Sequence, residues 1–349
     1  MSKDKKQEEK RFPVGGQALV EGVMMRGKDA YSIALMNKQG EVKVERFEHK
    51  AISERYKIFK VPFIRGIGAL WDSMKIGIKA LLYSANEAMD EIEKEEAEKK
   101  NKEIKKKSKG AEKAQNVALA AISMIFGFAL FVAVPNIIIH LMGLVESERP
   151  LLFNIISGVM RIGFFVAYVA VISLMKDVRR VFMFHGAEHK AVNTYEADKD
   201  VELETVKTFP TFHPRCGTSF MFFVLLIAII VFSFVPILFN AVISGFAQIN
   251  VFIRKPVLIV SHILLLPLVA GISYEFLKIT FKGRNNFFIK LLSMPGYGIQ
   301  KLTTREPDEN QLKCAIAAIK AVIEEPKKDE TTDKDQAEEV IKDAQPTTA

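Results

Sequence analysis

The sequence predicts an α-helical polytopic membrane protein with about four transmembrane helices, a small N-terminal cytosolic β unit and amphipathic helices. Three observations predict it. Four apolar stretches reach the length of roughly 20 residues that a bilayer crossing needs. Lysine and arginine crowd one set of connections between them. Residues 14–50 show strand-like content punctuated by glycine.

The chain has 349 residues and a net charge of +8. Its hydrophobic residues concentrate between Val117 and Leu277, while Lys, Glu and Asp crowd the flanks. From Glu324 onward there are nine acids and four lysines, so the remainder carries about +13. A basic body suits an anionic membrane surface, and the charge alone does not establish nucleic-acid binding. No sequence-specific DNA binding is expected. Cys216 and Cys314 are the two cysteines, too few for a disulfide framework. Residues 1–11 are polar and charged, with no apolar core of a signal peptide, and read as a disordered N-terminus.

Residues 12–60 form the predicted β unit. Tyr31–Met36 and Glu41–Phe47 flank a turn at Asn37–Gly40, and Gly15, Gly16, Gly22 and Gly27 punctuate the unit without phosphate-loop spacing. Residues 61–114 follow as an amphipathic helix and a charged linker. Phe63, Ile67, Leu70, Met74, Ile78, Leu81 and Ala85 recur at helical spacing, opposite Arg65, Asp72, Lys75 and Lys79. Such a helix either lies along the cytosolic leaflet or packs against the β unit. The rest of this block, over residues 87–113, reads as a solvated helix or linker.

Residues 115–280 hold the membrane domain, with spans near Val117–Leu144, Leu151–Met175, Thr218–Asn240 and Pro256–Leu277. Arg161 is the main charge inside them; it snorkels or lines the bundle interior. His140 and His262 lie toward the opposite face from the 176–217 loop and read as structural or interfacial. Basic residues precede the first span, fill the 176–217 loop and follow the fourth span, so the termini and that loop are cytosolic. Arg254 and Lys255 sit on the other side and weaken the contrast slightly. Localisation is then the bacterial inner (cytoplasmic) membrane, and the bilayer is the first partner. Residues 281–324 form a cytosolic segment. Phe287–Leu292 is apolar enough to touch the membrane, Pro295, Gly296 and Gly298 break it, and Asp308 caps an amphipathic helix. Residues 325–349 read as a disordered acidic tail.

The chemistry concentrates in the 176–217 loop. On a helix, His185 and His189 are one turn apart on one face, a spacing that lets two imidazoles bind one zinc ion. Glu188 is beside them as a general base on a metal-bound water, and His-x-x-Glu-His is the inverted zincin signature. Glu196 lies seven residues beyond His189, near the same face. His213-Pro-Arg-Cys216 at the loop's end offers two further zinc-type ligands. Glu275, near the cytosolic end of the fourth span, is costly there unless paired or ligating. The metal candidates are therefore His185, His189, Cys216, Glu275, Glu196 and His213, with Glu188 catalytic and zinc favoured by ligand type.

Several motifs carry a family resemblance. They are Gly15-Gly-Gln-Ala-Leu-Val-Glu-Gly-Val-Met-Met-Arg-Gly27, His185-Gly-Ala-Glu-His-Lys-Ala, His213-Pro-Arg-Cys-Gly-Thr-Ser, Gly271-Ile-Ser-Tyr-Glu275 and Pro295 through Pro307. Over roughly residues 12–323 the chain resembles the bacterial YqhQ-like membrane family of unknown function, whose members are often labelled predicted metal-dependent enzymes. The resemblance implies a metal site and fixes no substrate. The large α/β fold of soluble inverted zincins is not compatible with four spans, which leaves the local ligand geometry.

Three functions compete on these grounds. One is a metal-dependent hydrolase acting on a membrane peptide or lipid-linked group. Another is a non-catalytic accessory factor with a structural metal, binding a membrane-protein complex, the translocon or the ribosome. The third is a transporter, for which the spans lack the paired broken helices of inverted repeats.

Overall fold

The structure, a computed structural model, describes residues 12–100, 109–144, 148–282 and 286–324. The two termini expected to be disordered and part of the charged linker lie outside these residues.

Strands β1 (Gly15–Leu19), β2 (Gly22–Arg26), β3 (Ala30–Met36) and β4 (Val42–Glu48) form an antiparallel meander in the order β1-β2-β3-β4. The expected turn closes β3 onto β4: the Gly40 N–H donates to the Asn37 carbonyl at 3.0 Å, and Gly40 has φ +84°. A left-handed residue there favours glycine. All seven residues of β3 are buried, so the sheet is covered on both faces.

Helix α1 (Ile52–Arg55) and a 3-10 turn (Lys57–Lys60) lead into the long α2 (Ile64–Lys100). Next come α3 (Lys109–Phe128), a π-helical turn (Ala129–Ala133) and α4 (Val134–Leu141). Pro135 follows the π turn and has no N–H to donate to the helix ladder. Helices α5 (Pro150–Ile172), α6 (Lys176–Glu196), α7 (Leu203–Lys207) and α8 (Gly217–Val242) continue the chain. A 3-10 turn (Phe246–Gln248), α9 (Val251–Lys282), α10 (Phe287–Thr303) and α11 (Glu309–Ile323) complete it.

The alternation of strand side chains decides the layers. Val23, Met25, Ala34 and Met36 face α6 and α11, where they pack with Phe184, Ala187, Leu312, Ala315 and Ile319 in the main core. Leu19, Met24, Tyr31, Ile33 and Leu35 face the other way, onto Ile76 and Ala80 of α2. The N-terminal sheet, α6 and the C-terminal helix therefore share one core. Asp308 caps α11 as its sequence suggests, in a full capping box with Gln311.

Helix α2 takes the second of the two alternatives open from its sequence, packing against the β unit. One face packs on the sheet, while Trp71, Met74 and Ile78 remain 64, 52 and 53% exposed. Its supposed solvent face is corrected at Asp72, which is buried, accepts a hydrogen bond from Arg26 at 3.2 Å and caps the Ile52 N–H at 2.8 Å. A second correction concerns Pro295 and the glycines after it. They do not break the chain: α10 runs through them to Thr303. A Cβ on Gly296 would approach Ser219 Oγ to 2.9 Å, so this glycine serves close packing of α10 on α8.

Four helical stretches are long and apolar enough to cross a membrane: Val117–Leu141, Leu151–Ile172, Gly217–Val242 and Val251–Phe281. Much of their apolar surface is exposed, as contact with lipid requires. Arg161 turns toward α4, its guanidinium 3.5 Å from Asn136 Oδ1. His262 stacks on Phe232 with ring centroids 4.4 Å apart.

Candidate metal centre

The centre forms where α6, the segment before α8 and the end of α10 meet. Helix α6 brings the His185 and His189 rings to 4.4 Å between centroids, as one helical turn dictates. Cys216 is the N-cap residue of α8, and its Sγ lies 3.3 Å from His185 Nε2. One ligand atom from each of His185, His189 and Cys216 falls within 4.8 Å of the others, so the cluster could hold a metal ion.

Two carbonyl oxygens orient the rings. His185 Nδ1 lies 2.8 Å from the Thr303 oxygen, and His189 Nδ1 lies 2.5 Å from that of Thr211. A carbonyl only accepts, so each Nδ1 carries the hydrogen and each Nε2 keeps a free lone pair. This is how metal-ligating histidines are usually held. Burial also holds His189 below the ordinary histidine range, which keeps it neutral. The donor set and its tautomers thus fit a metal ion.

The carbonyls are themselves fixed. Asn193 Nδ2 donates to the Pro210 and Phe212 oxygens at 3.0 and 2.9 Å. The buried Gln300 side chain accepts from His213 N at 3.0 Å and donates to its carbonyl at 2.9 Å. On the opposite side, Arg305 N donates to the Phe182 carbonyl at 2.9 Å, which ties the segment after α10 to α6. Gly186 permits that approach, because a Cβ there would collide with the Arg305 carbonyl.

Glu188 is 5% exposed and His189 is 1% exposed. The Glu188 carboxylate lies 3.4 Å from His189 Nε2 and accepts the Gly16 N–H. Burial raises its pKa, opposed by the neighbouring His185 and His213 rings, the Gly16 N–H and Arg215. Gly16 allows the fit, since a Cβ would sit 2.7 Å from Glu188 Cγ and 2.7 Å from the Met24 oxygen.

The other sequence candidates fall outside the group of three. His213 and Glu196 pair with one another, Nε2 to Oε2 at 3.3 Å, one layer away, with the His213 ring 5.7 Å from that of His189. Arg215 also pairs with Glu196 and covers the Phe281 ring at 4.8 Å. Glu275 lies elsewhere, at the contact of α9 with α2, where Arg65 donates to both of its oxygens at 2.6 and 2.5 Å. Its cost inside an apolar helix is met by that pairing. Gly16, Gln300 and Arg215 were not singled out for the site by their sequence, although each lies inside a motif that carries the family resemblance.

Comparison with known proteins matches these features to a family without an assigned activity. The model for "Protein of unknown function (DUF1385)" matches residues 61–325. The chain is 31% identical over 317 residues to "Uncharacterized protein YqhQ" of Bacillus subtilis (strain 168), covering 88% of this chain and 92% of that one. No solved structure matches. The chain belongs to the DUF1385 family of proteins of unknown function, to which its YqhQ-like motifs pointed.

Proposed function

We propose that this chain is a metal-dependent hydrolase of the bacterial cytoplasmic membrane, with its termini and metal centre on the cytosolic side. The observation that carries the reading is the convergence of His185, His189 and Cys216 within 4.8 Å, with a buried carboxylate beside them. Zinc suits this imidazole and thiolate set. Three protein ligands would leave a further coordination position open, as in catalytic rather than structural zinc sites. Held by these residues, zinc would supply Lewis acidity and would lower the pKa of a coordinated water. His185 and His189 present Nε2, and the Thr303 and Thr211 carbonyls hold them in that orientation. Glu188 takes the proton from the attacking water and delivers it to the leaving group. Glu196, His213 and Arg215 form a supporting layer around His189 and Cys216. A membrane peptide or a lipid-linked group is the substrate class that reaches a centre at the cytosolic end of α8.

One observation favours a second reading, a metal-stabilised accessory factor docked on a membrane complex, the translocon or the ribosome. Glu188 lies close enough to His189 Nε2, at 3.4 Å, to serve as a fourth ligand and close the site. Metal content separates the readings. Detergent-purified protein is expected to hold about one equivalent of zinc, lost in His185→Ala and His189→Ala. If Glu188→Gln keeps the metal and fails to complement a deletion, the hydrolase stands. Loss of metal in Glu188→Gln supports the closed structural site, and unchanged metal in both histidine variants ends both readings.

A further inference from the structure

The segment between the sheet and α2 takes no part in the metal centre, and its chemistry is of another kind. Between Lys50 and Arg65 it carries five basic residues, Lys50, Arg55, Lys57, Lys60 and Arg65, against the single acid Glu54. Apolar residues alternate with them: Tyr56, Ile58, Val61 and Phe63 are each about half exposed, at 53, 58, 49 and 51%. Basic and apolar residues interleaved on a surface are the composition of segments that lie in the headgroup region of anionic bilayers.

A cavity of about 310 Å³ opens beside this segment, with Arg26, Ser53, Lys60, Arg65, Asp72 and Tyr274 among its walls. Its carboxylates are engaged. Asp72 is bound by Arg26 at 3.2 Å and by the Ile52 N–H, and Glu275, just beyond the wall, is bound by Arg65. Among the described residues Lys60 has no ion-pair partner, so the cavity keeps an unbalanced positive charge with the Ser53 hydroxyl close by. Tyr274 belongs to the membrane-crossing candidate Val251–Phe281 and lies seven residues before its end. That places the cavity about 10 Å along the helix from the cytosolic end. The apolar surface continues from Phe63 to Trp71, Met74 and Ile78 along α2.

We propose that this cavity binds the phosphate-bearing headgroup of an anionic phospholipid of the cytosolic leaflet, with the exposed apolar residues of the segment entering the acyl boundary. Lys60 supplies the uncompensated charge, Arg26 and Ser53 supply further donors, and Tyr274 places the headgroup against α9. The inference rests on the membrane-crossing helices and is independent of the metal reading.

The test uses the full chain in detergent and native mass spectrometry with phosphatidylglycerol, phosphatidylcholine or glycerol 3-phosphate at equal concentration. Wild type is expected to retain phosphatidylglycerol in preference to phosphatidylcholine. Lys60→Ala lowers phosphatidylglycerol binding about fivefold, the factor for one basic residue at an anionic surface. Lys60→Arg restores it, and Lys313→Ala on α11 leaves it unchanged. Lys60 is exposed, so its variants keep the fold, and their zinc content stays at the wild-type level whether or not the hydrolase reading holds. Equal binding of the two lipids, or wild-type phosphatidylglycerol binding by Lys60→Ala, overturns the proposal. Glycerol 3-phosphate binding as tightly as phosphatidylglycerol overturns the lipid assignment and gives the cavity to soluble phosphate esters.

Discussion

Gly186→Ala tests whether α6 and the segment after α10 are pressed together to build the metal centre. Gly186 follows His185 on α6, and a Cβ at that position would run into the Arg305 carbonyl carbon at 3.2 Å and its oxygen closer still. The obstacle is backbone, held by the Arg305 N–H on the Phe182 carbonyl at 2.9 Å. It cannot rotate aside as a side chain can. Overpacking of this kind costs about 1–3 kcal/mol, and more where the backbone must move. Alanine regains about 1 kcal/mol of helix propensity over glycine. The net expectation is a loss of up to about 2 kcal/mol, and more if the backbone is displaced, read as a fall of roughly 2–4 °C per kcal/mol in the thermal midpoint. The same displacement draws the Thr303 carbonyl away from His185 Nδ1, and loss of such a supporting partner lowers metal affinity about 10–100-fold. The assay is a melting curve in detergent beside a competitive zinc titration. Gly217→Ala is the control, since a Cβ there meets nothing within 4 Å. If Gly186→Ala melts and binds zinc as wild type does, the close approach is not what orients His185.

Three further substitutions probe other parts of the fold. Glu275→Gln removes the charge that Arg65 holds and should loosen α2 from α9, seen as faster limited proteolysis near residue 63, while zinc content stays unchanged; loss of zinc would return Glu275 to the metal centre. Burial pushes the Cys314 thiol up to about 12 from an unfolded value of 9.0, so the folded state holds its proton more tightly. The stability it contributes is full below pH 9 and is lost as pH rises toward 12, and the difference between wild type and Cys314→Ala in chemical denaturation should shrink across that window. Asp308→Ala deletes the capping box of α11 and should cost about 1 kcal/mol; an unchanged denaturation midpoint would mean that the cap contributes nothing to the shared core.

Much of the architecture was legible because it depends on local pattern. The four apolar stretches are long runs that only a buried or lipid-facing helix accommodates, and the helices match them within a few residues. The turn at Asn37–Gly40 and the Asp308 cap are set by short-range backbone chemistry. The wrong reading of Pro295 arose because a proline ends a helix only when nothing stabilises its continuation. Here Gly296 packs against Ser219 and Gln300 donates to Ser219 Oγ at 2.7 Å, and these contacts carry α10 onward. Asp72 looked like a surface residue by period, yet its partners Arg26 and the Ile52 N–H come from elsewhere in the chain.

The candidate site divides along the same line. Spacing on one helix was enough to place His185, Glu188 and His189 together, because a period of 3.6 is a local property of the backbone. Cys216 and Glu275 were equal candidates by sequence, each a ligand type near the same membrane face. Only the tertiary structure separated them, setting Cys216 at 3.3 Å from His185 and Glu275 against Arg65. It also supplied what no spacing rule contains: the Thr303 and Thr211 carbonyls that choose the tautomers, and the Gly16 N–H on Glu188. Those groups are backbone atoms contributed by three distant segments. Their positions follow from how the sheet, α6 and the end of α10 pack together, and no side-chain identity along the chain encodes them.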